Sequence, residues 1–78
     1  MNNLITTDNF TRIDNDSYGN PRYYIPVFML DGIEHKTLNK LGFKLYRGKK
    51  YGKGYVVQSY NIQHDCDRLN GIIMLYQS

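Results

Sequence analysis

The sequence predicts a small α+β domain, with helices on one face of a mostly antiparallel sheet and the order β-β-α-β-β-α with a possible last strand. Three observations carry this. The chain has 78 residues and one cysteine, so a single domain must close around one modest core with no internal disulfide. Two runs, RYYIPVFML at 22–30 and GYVVQSY at 54–60, are rich in aromatic and β-branched residues. Two others, at 31–42 and 61–71, place apolar residues at helical spacing and end on glycine.

Taken in order, residues 1–9 are polar and are expected to be loose. FTRIDND at 10–16 alternates as a strand, with Phe10 and Arg12 on one side and Thr11 and Ile13 on the other. NDSYGNP at 15–21 is a turn: Gly19 and Asn20 tolerate positive φ, and Asn and Asp side chains bond the local backbone. Pro21 then pushes Asn20 into an extended conformation. Residues 22–30 form the strongest strand, with Tyr23, Ile25, Val27 and Met29 on one face and Tyr24, Phe28 and Leu30 on the other. Pro26 cannot donate a ladder bond and argues for an edge position or a bulge. The first two strands are close enough to form a hairpin.

DGIEHKTLNKLG at 31–42 admits two readings. Asp31-Gly32 suits a hairpin turn, whereas Asp31 with Glu34 matches a capping box. Ile33, Thr37, Leu38 and Leu41 share a helical face, and Gly42 stands where a left-handed residue would end a helix, so a helix is expected. FKLY at 43–46 and the run at 54–60 are the next strands, joined by a glycine-hinged loop. A second helix follows, capped by Asn61, with Ile62, Cys66 and Leu69 as its stripe and Gly71 as its stop. IIMLY at 72–76 is either a last strand or a helical continuation across Gly71; continuing would cost about 1 kcal/mol, which favours the strand. The expected core is Ile25, Val27, Leu38, Leu41, Leu45, Val57, Ile62, Cys66 and Leu69.

Net charge is +3, unevenly spread. Residues 1–34 carry −3, residues 35–64 carry +7 with no Asp or Glu, and the remainder carries −1. Such a map points to a polyanion or an acidic protein surface as partner; a solvated basic face with no ligand is the alternative. The chain opens with no basic, then apolar, leader, and no apolar run reaches membrane-spanning length. With one cysteine, this suggests a soluble protein of a reducing compartment, the cytoplasm.

The centre of the basic segment is YRGKKYGKGYVVQSY, 46–60. It is not a Walker loop: Gly48 and Gly52-Lys53 have three residues between them, not four, and no Ser or Thr follows. It is not a dinucleotide fingerprint either, since Val57 stands where the third Gly should be and the loop enters a strand. KGYVVQSY is similar in chemistry to the RNP1 strand of RNA-recognition motifs at Lys53, Gly54, Tyr55 and Tyr60. Val56 and Val57 depart from that pattern, and the element order differs. Tyr55 could stack on a base; equally, Tyr55, Val57 and Ser59 could simply be one face of a half-buried strand.

Catalytic chemistry finds little footing. On a helix, His64 and Cys66 diverge by about 200°. HDCD at 64–67 lacks a second half-site for zinc. Asp14 and Asp16 could pair as carboxylates, but suit a turn with Asn15 better. No cofactor and no metal are expected, and a chain this small is expected to bind and not to catalyse.

RIDNDSYGNPRYYIPVF read together with KLYRGKKYGKGYVVQSYN resembles a loose group of short proteins carried by phages and mobile elements. They share an Asn-Pro-Arg-Tyr turn-to-strand and a Gly-rich basic hairpin. The resemblance covers about residues 10–62 and carries no functional residue with it. It implies an accessory gene, a setting in which small non-enzymatic inhibitors of host defence occur, anti-CRISPR proteins among them, and hence a host-cell cytoplasm. The candidate binding residues are Lys44, Arg47, Lys49, Lys50, Tyr51, Lys53 and Tyr55. The cations would neutralise phosphates, Tyr51 and Tyr55 would stack, and the glycines would keep the loop mobile. The partner would be nucleic acid or a protein complex that handles it, without a membrane. The alternative is an inhibitor that docks on a protein surface.

Overall fold

The computed structural model describes residues 4–30 and 32–77. It is an α+β domain: β1 (Thr11–Asn15), β2 (Pro21–Pro26), α1 (His35–Lys40), β3 (Lys44–Tyr46), β4 (Gly54–Gln58) and α2 (Ile62–Gln77). The strands form one antiparallel sheet in the order β1-β2-β4-β3. Short 3-10 turns precede β1 (Thr7–Asn9) and follow β2 (Val27–Leu30).

The register Ile25↔Tyr55 and Tyr24↔Val56 sorts side chains by face. Ile25, Tyr55 and Val57 join Leu38, Phe43, Cys66, Leu69 and Ile73 in the core between sheet and helices. Tyr24 and Val56 alternate onto the other face and, though buried, stand apart from that cluster. Phe43, Ile25, Leu38, Leu69 and Cys66 are the most deeply buried side chains. Phe43 anchors the α1–β3 corner. Its N–H donates to the Leu38 carbonyl (2.9 Å) and that of Gly42 to Asn39 (3.0 Å), while Gly42 takes φ +95°. This is a Schellman closure with its usual apolar contact, here Phe43 against Leu38, both buried.

Several expectations are corrected. The strand expected at 22–30 stops at Pro26: the Val27 N–H makes a last bond to the Lys53 carbonyl (3.2 Å) before the chain turns. That turn returns Leu30 to the core and leaves Val27, expected inside, and Phe28 exposed. β2 is also an inner strand, not an edge; Pro26 is tolerated as its final residue, opposite Gly54. The first helix is shorter than 31–42, with Glu34 as N-cap, and the Asp31 half of the expected capping box lies outside the described residues.

The expected last strand is helix. α2 runs through Gly71 to Gln77, because Ile73 prolongs the stripe of Ile62, Cys66 and Leu69. Burying an isoleucine is worth about 1.5–3 kcal/mol, more than the roughly 1 kcal/mol that glycine costs. The N-terminal segment, expected loose through residue 9, is docked from Ile5 onward. The Ile5 N–H donates to Asn70 Oδ1 (2.7 Å), and its carbonyl accepts from Asn70 Nδ2 (2.8 Å) and from Cys66 Sγ (3.0 Å). Asn70 thus serves Ile5 as a neighbouring strand would. Among the other expected core residues, Leu41, Leu45 and Ile62 are half-buried against the cluster.

Candidate ligand-binding hairpin

β3 and β4 form a hairpin whose loop carries the basic sequence. Lys44, Arg47, Lys49, Lys50 and Lys53 are all exposed. Among the described residues no carboxylate lies within ion-pair distance of any of them; the ion pairs are Arg22–Asp14 and Arg68–Asp65. The repulsion among like charges is therefore left to solvent, or to a ligand.

The loop, expected to be kept mobile by its glycines, makes side-chain contacts to the sheet. The Tyr24 hydroxyl, projecting from the face of β2 opposite the core, reaches the carbonyls of Tyr51 (2.8 Å), Gly52 (3.2 Å) and Lys53 (3.3 Å). Three rings close around this point: Tyr24–Tyr46 and Tyr24–Tyr51 at 5.3 Å between centroids, Tyr46–Tyr51 at 6.1 Å. Burial pushes the Tyr24 phenol pKa up, so it stays a hydrogen-bond donor. The glycines serve this cluster. A Cβ on Gly48 would overlap the Tyr46 ring, and one on Gly54 would overlap the Ile25 carbonyl and the Tyr24 ring. Gly52 takes φ +88°, which lets the chain turn beneath Tyr24.

The expected site residues therefore separate. Lys44, Arg47, Lys49, Lys50 and Lys53 are exposed along the β3–β4 hairpin, and Tyr51 stands half-buried in its loop. Lys50 Nζ lies 5.4 Å from the Tyr51 ring centroid. Tyr55 does not belong with them. It is buried on the helix side, where its hydroxyl bonds His35 Nδ1 at 2.9 Å. Tyr24 and Tyr46, which build the platform, were not singled out by sequence. The pointer to them is strand Gly54, directly opposite Tyr46 and diagonal to Tyr24, and it requires the register.

The other candidates resolve structurally. Asp14 forms a two-pronged pair with Arg22 (Nε and Nη2, both 2.7 Å), which holds its carboxyl below the usual value. Asp16 accepts the Tyr18 and Asn20 N–H groups of the turn, and the Asn20 bond is the main cause of its lowered pKa. Cys66 is buried and its thiol pKa is raised by that burial, while His64 is exposed. Among the described residues no group of three or more His, Cys, Asp or Glu could hold a metal ion, and no helix is long and apolar enough to cross a membrane.

Residues 4–73 fit the family model of the Staphylococcus phage terminal repeat-encoded protein TreK, a span that includes the whole sheet, α1 and most of α2. Neither curated proteins nor solved structures give a match.

Proposed function

The chain belongs to the family of the Staphylococcus phage terminal repeat-encoded protein TreK, and from that premise we propose that it is a phage-encoded, non-enzymatic binding module of the host cytoplasm whose basic hairpin takes nucleic acid, or the nucleic-acid channel of another protein. One observation carries this reading. Exposed cations without carboxylate partners stand on a loop that Tyr24 holds in one shape. A preformed loop loses little conformational freedom on binding, so its charges act at full effect. Lys49, Lys50 and Lys53 contact phosphates, Lys44 and Arg47 extend the positive strip, and the uncovered part of Tyr51 packs on sugar or base.

The test is the joint replacement of Lys49, Lys50 and Lys53 by Glu. Wild-type affinity for DNA or RNA should fall with salt along a log–log slope of roughly −2 to −3, and the variant should lose binding. Absence of any binding by the wild type to single- or double-stranded DNA and RNA at low salt rejects the reading. A second reading, an inhibitor docking on a host-defence protein in the manner of anti-CRISPR proteins, has its own support. Tyr18, Phe28 and Tyr60 stand 88%, 73% and 80% exposed, and aromatic side chains of this kind anchor protein interfaces.

A further inference from the structure

The sheet face opposite the helices holds a groove of about 630 Å³ beside the hairpin, within the size range of small-ligand sites. Val56 and the Tyr46 ring line it, Lys44 and Arg22 stand beside them, and Gln58 lies toward the far end of β4. Asp16, also lining it, has its carboxylate engaged by Tyr18 and Asn20. Arg22 spends Nε and Nη2 on Asp14, while its Nη1 engages no partner among the described residues.

We propose that this groove receives an unpaired nucleobase, so that the ligand of the basic surface is a single strand and not a duplex; this rests on the nucleic-acid reading above. The chemistry follows the path of β4. Lys44 at the groove and the exposed cations of the adjoining hairpin loop offer phosphate partners. Inside the groove, half-buried Tyr46 presents aromatic surface for a base to pack on, and Val56, itself buried, adds a small apolar floor. The Gln58 amide supplies both donor and acceptor for a base edge. A duplex cannot use these features, since its bases are stacked and paired behind two backbones, whereas single strands offer base faces and edges to such surfaces. An acidic peptide would satisfy the cations but leave the aromatic wall and the amide unmatched.

The experiment compares a short oligo(dT), an oligo(U) and a DNA duplex of equal length by fluorescence anisotropy at one low salt concentration. The expected result is a preference of about tenfold or more for a single strand over the duplex, the equivalent of one stacked base. Gln58→Glu, at an exposed position, sets a carboxylate in the groove and takes away the amide donor. It should abolish the preference while leaving the weaker, lysine-dependent binding in place. Gln58→Ala, which adds no charge, should reduce the preference only in part, and melting curves confirm that both variants are folded. Equal affinity for duplex and single strand overturns the inference and leaves the hairpin reading standing, as does a preference that survives Gln58→Glu. Tighter binding of poly-glutamate than of any oligonucleotide overturns it as well. No binding to any nucleic acid removes both.

Discussion

The Tyr24 hydroxyl donates to the Tyr51 carbonyl at 2.8 Å, joining β2 to the tip of a hairpin 27 residues away in sequence. The basic loop thereby becomes part of the domain. Its shape depends on one phenol, two flanking rings, and the glycines that make room for them.

Tyr24→Phe keeps the ring and removes the donor. The loss should be about 1 kcal/mol of global stability, a typical net worth for such a bond. The larger effect is local. Trypsin should cut faster at Lys49, Lys50 and Lys53 in the variant than in the wild type, because opening the loop no longer breaks the Tyr24 bonds. Equal cleavage rates would show that the rings alone hold the hairpin.

Two glycines should respond in opposite directions to alanine. Gly54→Ala drives a methyl into the Ile25 carbonyl and the Tyr24 ring, and a backbone atom cannot step aside. Overpacking costs typically about 1–3 kcal/mol, a large share of the few kcal/mol available to a domain this small. Gly71→Ala meets nothing within 4 Å and lies within α2, so it should stabilise by about 0.4–1 kcal/mol. A Gly71→Ala protein less stable than wild type would argue against a helix continuous through that position.

The β1–β2 hairpin contributes to the acid dependence. Asp14 and Asp16 both have lowered pKa values, the first chiefly through its bonds from Arg22, the second chiefly through the Asn20 N–H. A carboxylate whose folded pKa is depressed stabilises the fold above its unfolded value, near 4, and that contribution is lost as pH falls through the folded value. The melting temperature should therefore fall as pH drops below about 4. In a protein carrying Asp14→Asn and Asp16→Asn it should start lower at neutral pH and fall less over the same interval. Parallel pH profiles for the two proteins would remove these residues from the account.

What the sequence made legible follows the physics of each signal. Gly42 as a helix stop, the turn around Gly19 and the strand expected at 54–60, which runs over 54–58, depend on a few adjacent residues, and they were readable. The end of β2 was not, because Val27 to Leu30 have strand-forming chemistry and leave the sheet for tertiary reasons: Leu30 reaches the core by turning back. Likewise, the cost of Gly71 is local, whereas the burial of Ile73 that outweighs it is not. At the candidate site the cations were legible from charge alone. Which tyrosines accompany them was decided by strand register, which places Tyr55 on the core face and Tyr24 on the opposite one.

That division of the tyrosines is testable directly. Tyr51 stands in the basic loop, half-buried against Tyr24 and Tyr46, whereas Tyr55 is buried beneath the sheet against His35. Tyr51→Ala should weaken nucleic-acid binding by about tenfold, a loss equal to a modest stacking contribution, while the lysine-dependent salt slope persists. Tyr55→Phe loses its bond to His35 and should cost about 1 kcal/mol of stability with affinity unchanged. Ring size is kept in the second variant, so the core remains filled and the two effects can be read separately by melting and by titration. The reverse outcome, a binding defect in folded Tyr55→Phe and none in Tyr51→Ala, would place the ligand on the helix side of the sheet and away from the hairpin.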